Sequence, residues 1–233
     1  MTREYSSAVN IHVRRSLDVL ADRNTSVQDY QAAMLELGQE LGNSILGRLH
    51  SQDARVYLAC TAEDADFLAA GIVGSLEAKG CSPKLACFWN QRTTPFGISD
   101  IQVAPIIRRY REPFDSQTDI LIIVKSIISG ACVVKTNLRN LIQDITPKSI
   151  IIAAPVIYAG AEESLRDEFE RPIYEKFDFL YFAKDDERKA DGEVIPGIGG
   201  MVYDRLGFDG QDDKNCHMPK IVEDRMEKLM LSA

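Results

Sequence analysis

Short, continuous runs of apolar residues recur along this chain, with segments of helical periodicity between them. The runs are 55–60, 84–89, 119–124, 149–154 and 177–182. A strand with one solvated face alternates polar and apolar residues, whereas these runs do not alternate, so each is predicted to be a strand buried on both faces. Helices between such strands indicate a parallel sheet with right-handed crossovers. We therefore predict an α/β fold, a parallel sheet flanked by helices, in a single domain over residues 1–233.

Two long segments carry the clearest helical spacing. Residues 26–49 place apolar side chains at three- and four-residue steps behind a possible N-cap at Thr25 or Ser26, although three glycines weaken the pattern. Residues 219–231 read as an amphipathic helix at the C-terminus. The pattern leaves open whether that helix docks on the body of the chain or on a second subunit.

The net charge and the cysteine content exclude some classes of function. The formal net charge is −8, which argues against a non-specific nucleic-acid binder, because such proteins present a cationic face. Five cysteines form no C-x-x-C pair and the first ten residues lack the apolar core of a signal peptide, so we expect a reduced, cytoplasmic protein. The longest nearly apolar run, 149–161, is too short to cross a bilayer.

The segment after the third run has the features of an anion site. Residues 125–132 lead from a strand through small residues to a helix start, where free backbone N–H groups can meet a phosphate. Ser129 and Cys132 can add side-chain contacts, and Gly130 allows a close backbone approach. The alternative, a tight strand-to-helix turn with nothing bound, stays open on spacing alone.

Four segments in the same order resemble the uracil phosphoribosyltransferase family, which has the type I phosphoribosyltransferase fold. They cover most of the chain, from about residue 17 to 208. The segments are Leu17-Asp-Val-Leu-Ala-Asp-Arg-Asn-Thr25, the Tyr-Arg-acid stretch Arg109-Tyr110-Arg111-Glu112, the loop at Ser129-Gly130-Ala131-Cys132, and the C-terminal signature from Asp186 through Val194-Ile195-Pro196-Gly197-Ile198-Gly199-Gly200 to Asp204-Arg205-Leu206-Gly207.

The resemblance implies a set of site residues. Members of that family join uracil to phosphoribosyl pyrophosphate, release pyrophosphate and make UMP. By this likeness a small C-terminal hood at about 183–210 covers the base, Arg111 offsets the charge of the leaving group, and Asp204 orients the ribose or a metal. A homo-oligomer is also implied. The phosphate would lie on Lys125, Ser129, Gly130, Ala131 and Cys132, and the base on main-chain groups of Val194, Ile195, Gly197, Ile198 and Gly199.

Departures from the family pattern fall where diphosphate and magnesium would bind. The family has an aspartate where this chain has Val124, followed by Lys125, and a positively charged turn where this chain has the acidic residues of 61–66. Magnesium prefers oxygen ligands, so we assign no metal residue and expect magnesium only if the chain is an active transferase. Lys125 could instead bind a phosphate directly. The acidic turn has a second interpretation, with Thr61 and Asp64 capping the helix that follows.

Two hypotheses follow from these residues. The first is a uracil phosphoribosyltransferase-like protein that binds a pyrimidine base or its nucleotide (uracil or UMP, or phosphoribosyl pyrophosphate) without efficient catalysis. The alternative is an active uracil phosphoribosyltransferase that makes UMP. In both, the expected partner is a small nucleobase or nucleotide, not a membrane or a nucleic acid.

Overall fold

The structure is a computed structural model that describes residues 2–49, 51, 53–93, 103–114 and 116–231. Eight strands form one sheet in the order β1-β8-β7-β5-β2-β3-β4, with the short β6 beside β7. The strands of this sheet are β1 Arg3–Tyr5, β2 Val56–Thr61, β3 Lys84–Asn90, β4 Ile106–Arg111, β5 Ile120–Val124, β6 Ile127–Ile128, β7 Ser149–Tyr158 and β8 Phe177–Asp185. Pairing is parallel throughout the centre, and only the edge strands β1 and β4 are antiparallel to their neighbours.

Helices cover both faces of the sheet, and a two-stranded ribbon follows β8. The ribbon is β9 Glu187–Arg188 with β10 Val194–Ile195. The helices are α1 Ile11–Ala21, α2 Val27–Leu46, α3 Ala62–Asp64, α4 Ala70–Glu77, α5 Cys132–Leu141, α6 Ala161–Arg166, α7 Arg171–Tyr174, α8 Val202–Leu206, α9 Gly210–Cys216 and α10 Lys220–Leu231, with a π-helical segment, Ala65–Ala69, between α3 and α4.

Alternate residues of the central strands enter two separate apolar cores. On β2, Leu58 and Cys60 pack into a core formed with α1, α2 and α4, whereas Tyr57 and Ala59 pack into a core formed with α5 and α6. Both faces of each central strand are therefore withdrawn from water, which is why these strands are apolar without alternation. The predicted α/β class, a mostly parallel sheet flanked by helices, is confirmed.

The glycines that weaken the helical pattern of 26–49 have a packing role. A Cβ added to Gly38 on α2 would lie 2.2 Å from the carbonyl oxygen of Leu68, and one added to Gly71 on α4 would lie 2.4 Å from that of Leu35. The two helices thus approach more closely than side chains at these positions would permit. Ser26 begins α2 as its N-cap, accepting a hydrogen bond from the Asp29 amide at 3.1 Å.

Several elements differ from the sequence predictions. The fourth run extends to Tyr158, and residues 109–111 of the Tyr-Arg-acid stretch form the end of strand β4, which the sequence does not predict. Thr61 occupies the N-cap position of α3 but makes no side-chain capping bond; its hydroxyl donates to Asp64 at 2.7 Å. The C-terminal helix docks on the body of the chain, where Arg225 contacts Glu112 at 3.2 Å. Within the described residues, no helix is both long and apolar enough to span a membrane.

Candidate functional site

The sheet has a topological switch point between β2 and β5. From β2 the chain continues to β3 on one side, and it later returns to place β5 on the other side. The segments that leave the carboxyl ends of β2 and β5 therefore diverge, and in open α/β sheets this is where ligands bind. The residues that follow these two strands are those of α3 and the pair Lys125-Ser126.

A cavity of about 340 Å³ opens at this edge of the sheet. Its volume lies near the lower end of the range for small-molecule sites, roughly 300–1,000 Å³. It lies between the β5–α5 connection and the hood, so the predicted phosphate segment and the predicted base segment face each other across it. Among the residues that line it are Arg92, Lys125, Ser126, Ser129, Val194 and Ile198.

The β5–α5 connection is tighter than the sequence suggests. Strand β6 lies inside it and pairs with β7, so the turn itself is short: Ser129, Gly130 and Ala131. Ala131 is the N-cap of α5 and makes no side-chain capping bond. The first backbone amides of a helix have no acceptor within it, so those at the start of α5, from Cys132 on, suit an anion. Burial raises the pKa of the Cys132 thiol, which favours the neutral form.

Lys125 lies at the centre of a buried ion cluster. Its side chain is 3% exposed, and its ammonium contacts Asp64 Oδ2 at 2.5 Å, Glu63 Oε1 at 3.1 Å and the Thr61 hydroxyl at 3.2 Å. The three ammonium hydrogens thus have acceptors within the protein. The Ser126 amide donates to the other oxygen of Asp64 at 3.1 Å. The cluster ties the residues after β2 to those after β5, across the switch point.

Electrostatics keep this cluster ionised although it is buried. Burial alone would raise the pKa of the Glu63 carboxyl, but the attraction of Lys125 and Lys214 outweighs it, and the pKa lies well below its ordinary value. For Lys125, burial would lower the pKa, but Asp64 and Glu63 raise it above the ordinary value. Lys214 is fully buried and donates to the Asn90 carbonyl at 2.7 Å, with Glu63 at 3.9 Å.

The hood turn owes its shape to a cis peptide bond and to a glycine. The bond between Ile195 and Pro196 is cis, and Gly197 has a φ of +55°. A Cβ on Gly197 would lie 2.2 Å from the carbonyl oxygen of Val194, so no other residue fits there without moving the turn. Val194 and Ile198 line the cavity, whereas Ile195, Gly197 and Gly199 belong to the turn without lining it.

An ion pair from the first strand holds this turn in place. Arg3 forms a two-point pair with Asp185, with both distances 2.7 Å, and also donates to the Gly197 carbonyl at 2.7 Å. Asp185, which is fully buried, accepts from the Gly197 amide at 2.8 Å. The Ile198 carbonyl accepts from the Tyr30 hydroxyl at 3.1 Å. The hood is therefore fastened to β1, α2 and the end of β8 by polar contacts.

Three polar residues of this region did not emerge from the sequence. Arg92, just after β3, lines the cavity, and its guanidinium has no ion pair or hydrogen bond to any described residue. Its main chain is held by both ends of the Gln211 side-chain amide. Ser126 is fully buried, and its hydroxyl has no partner in the described structure. Arg188 of β9 places Nη2 3.9 Å from the point that a Cβ on Gly130 would occupy.

Two predicted catalytic residues are not brought to the cavity. Arg111 is opposite Ala86, near the start of β3, which is the amino edge of the parallel strands, and it pairs with Asp144 at 2.8 Å. The cavity is at the carboxyl edge. Asp204 lies on α8 with its side chain exposed and is not a lining residue. The structure does bring Lys125, Ser129, Val194 and Ile198 together around one cavity.

The residues at this edge do not fit magnesium, which the family likeness implies for an active transferase. Magnesium needs several oxygen ligands, and the nearby carboxylates of Glu63 and Asp64 are already paired with an ammonium group. In the part of the chain that the structure describes, no group of three or more His, Cys, Asp or Glu side chains could hold a metal ion.

A larger cavity, of about 690 Å³, lies at the opposite edge of the sheet. Its walls include the starts of β5 and β7 and the ion pair between Arg48 and Asp178 at 2.7 Å. The side chains of that pair are both more than a third exposed, and Asp119 in the same wall pairs with Lys148. We favour the smaller cavity because it lies at the switch point and holds polar groups without partners.

Comparisons with known proteins identify a shared fold but do not assign this chain to a family. No family model matches the chain, and no curated protein matches it. The solved structure of the AQ2163 protein from Aquifex aeolicus has a TM-score of 0.69 at 14% identity, covering 85% of this chain and 95% of that one, which shows a shared fold. Two phosphoribosyltransferases match less well, each with a TM-score of 0.40 at 13% identity over 70% of this chain. They are the hypoxanthine-guanine enzyme from L. donovani, of which 85% is covered, and the hypoxanthine enzyme from Trypanosoma cruzi, of which 76% is covered. These scores are too low to place this chain among the transferases.

Proposed function

We propose that this protein is a phosphoribosyltransferase-like binding protein for a pyrimidine base or its nucleotide, uracil or UMP, and that it does not catalyse ordinary uracil salvage. One observation carries the proposal: a single cavity at the switch point is lined by both the Ser129 turn and the Val194–Ile198 hood. The choice of a pyrimidine rests on the sequence likeness to uracil phosphoribosyltransferases. The volume of about 340 Å³ is in keeping with one small ligand.

In this proposal the two walls have separate tasks. The turn from Ser129 to Cys132 and the first amides of α5 hold the 5′-phosphate, while the hood from Val194 to Gly199 covers the base. Tyr203, which is buried and keeps a raised pKa because of burial, adds a neutral phenol to the wall. Lys125 contributes by neutralising Glu63 and Asp64.

Efficient transfer from phosphoribosyl pyrophosphate is disfavoured by the same geometry. A departing diphosphate carries several negative charges, and their stabilisation is usually the largest catalytic contribution. Here Lys125, which lines the cavity, already has two carboxylate partners, and Arg111 is at the far edge of the sheet. Asp204 and Arg111 are therefore left out of the proposed site.

The test is calorimetric binding of UMP, uridine, uracil and a purine nucleotide, alongside a radiolabelled uracil assay for UMP formation with magnesium present. We expect UMP to bind more tightly than uridine and the purine nucleotide, without turnover. Turnover near 1 s⁻¹ or above, roughly the low end for enzymes, would establish the active transferase instead. Failure of UMP to bind would refute the proposal.

Gly130→Glu provides the site-directed test. The position has room for a side chain, and the new carboxylate would lie beside Arg188 and compete with a phosphate. We expect this variant to lose UMP binding, whereas Gly74→Glu, at an exposed position on α4 with no neighbouring atom within 4 Å, keeps it. Equal affinities in the two variants would remove the Ser129 turn from the site. A homo-oligomeric, cytoplasmic protein, as the likeness implies, is part of the same proposal and is checked by sedimentation and fractionation.

A further inference from the structure

We infer that the phosphate of the ligand binds in this cavity without a divalent cation, held by the guanidinium groups of Arg92 and Arg188 and by the Ser126 hydroxyl. The inference rests on the proposed function and specifies the class of ligand: a phosphomonoester, not a metal-bound diphosphate.

The ion cluster at the switch point leaves no place for a cation. The ammonium of Lys125 lies between Glu63 and Asp64 and repels any divalent ion that approaches these carboxylates. Lys214 adds a second positive charge beside Glu63. Since hard cations need oxygen ligands that are free to bind them, the carboxylates that follow β2 are not available to magnesium. Lys125 and Lys214 neutralise the acidic turn in place of a metal.

Arg92 is preorganised and has no acceptor. Gln211 holds its main chain on both sides, accepting from the Arg92 amide at 2.6 Å and donating to its carbonyl at 3.1 Å. Arg92 lines the cavity, and no hydrogen bond or ion pair joins its guanidinium to a described residue. Arginine presents a planar set of donors that matches a phosphate, and such charge-assisted bonds are roughly twice as strong as neutral ones.

Ser126 and Arg188 complete the anion site. Ser126 lines the cavity, its hydroxyl is buried without a hydrogen-bond partner in the described structure, and a buried polar group in this state needs a ligand or a water molecule. Arg188, on the hood ribbon, is not itself a lining residue, but its Nη2 lies 3.9 Å from the point that a Cβ on Gly130 would occupy, beside the Ser129 turn, and its guanidinium likewise has no acceptor among the described residues. Neither guanidinium is in an ion pair with a described residue, although the charge of Arg92 helps to lower the pKa of Glu63, and two such charges match that of one phosphomonoester.

Among the described residues that line the cavity, no further unpaired cation is left to bind the second phosphate of a diphosphate. The other cations that line the cavity are already neutralised, Arg23 by Glu193 and Lys125 by the acidic turn. Asp191, also in the wall, adds a negative charge. We therefore expect phosphoribosyl pyrophosphate, even with magnesium, to bind no more tightly than ribose 5-phosphate.

The experiment measures the Kd of UMP by calorimetry on the full chain, once with EDTA and once with magnesium. We expect the same Kd under both conditions. Arg92→Gln and Arg188→Gln, both at exposed positions, are each expected to weaken binding about tenfold or more, as loss of a charge-assisted bond does. Arg109→Gln, an exposed arginine on β4 that contacts Asn140, is the matched control and should bind like the parent protein.

The outcomes separate this inference from the proposed function. UMP binding that requires magnesium would overturn the inference and leave the proposed function intact. Unchanged affinity in both the Arg92 and Arg188 variants would overturn the assignment of the anion site, as would tighter binding of phosphoribosyl pyrophosphate than of ribose 5-phosphate. Absence of UMP binding under both conditions would refute the inference and the proposed function together.

Discussion

Replacement of Lys125 by methionine should cost a large part of the stability of this protein. The ammonium is the direct partner of Glu63 and Asp64, and all three side chains are almost fully buried. Removing one partner of a buried ion pair leaves an uncompensated charge and lowers the free energy of unfolding by about 3–5 kcal/mol. For a chain of this size each kcal/mol shifts the melting temperature by roughly 2–4 °C, so a fall of about 6–20 °C is expected.

The assay is urea unfolding followed by the fluorescence of Trp89, the chain's single tryptophan, which is buried at the end of β3. Lys148→Met is the matched control, because Lys148 is 77% exposed and also contacts a carboxylate, that of Asp119 at 2.7 Å. Exposed pairs contribute about 0–1 kcal/mol, so this variant should unfold almost like the parent.

A double variant tests whether the loss comes from the unpaired charge. Asp64→Asn keeps an oxygen that can accept from the Ser126 amide but removes one negative charge from the cluster. Combined with Lys125→Met, it should recover part of the lost stability, and the coupling energy in this cycle should be at least about 1 kcal/mol. If Lys125→Met costs no more than Lys148→Met, the cluster does not contribute to stability as we describe.

Three further predictions concern other parts of the molecule. Lys125 and Lys214 hold the pKa of Glu63 below its ordinary value of 4.5, so this carboxylate stabilises the fold above that pH. The free energy of unfolding should therefore fall as the pH drops below about 4.5. Urea titrations at several pH values should show a flatter decline for Lys125→Met than for the parent protein. Gly71→Ala should lower the free energy of unfolding by about 1–3 kcal/mol, since its Cβ would meet α2, whereas Gly74→Ala on the open side of α4 should raise it by about 0.4–1 kcal/mol. Arg225→Met should cost about 2 kcal/mol or more and expose α10 to proteolysis, because buried Glu112 loses its cation, while Lys220→Met, in an exposed pair with Asp224, should leave the stability almost unchanged; equal proteolysis of the two would contradict this account of how α10 docks.

The sheet could be predicted from sequence because burial on both faces leaves a local signal. Strands β2, β3, β5 and β7 are nearly continuous apolar runs, and these four and β8, whose run Asp178 interrupts, are the five strands that the sequence predicts. Strand β4 gives no such signal, since an edge strand with the sequence Ile-Ile-Arg-Arg-Tyr-Arg meets solvent along much of its length. The likeness to a Tyr-Arg-acid motif placed Arg111 near a diphosphate, but antiparallel pairing carries it to the other edge of the sheet.

The site was only partly accessible from sequence, because its key contacts join distant parts of the chain. Ser129 is indicated by a local pattern of small residues, and the hood turn by the family likeness. The pairing of Lys125 with Glu63 links positions 62 residues apart, and neither residue alone indicates it. The available clue is that acidic residues follow strand β2 and a lysine follows its neighbour, strand β5. Arg92 had no local signal, since a single arginine after a strand is common on any surface.

The fastening of the hood by Arg3 has a practical consequence for anyone who prepares this protein. Gly197, in the turn between the lining residues Val194 and Ile198, is held by Arg3, which lies 194 positions away along the chain. A bulky affinity tag fused next to Arg3 would disturb this contact and with it the hood turn, while leaving the sheet and its helices in place, so a purified sample could unfold normally and still have an altered cavity wall.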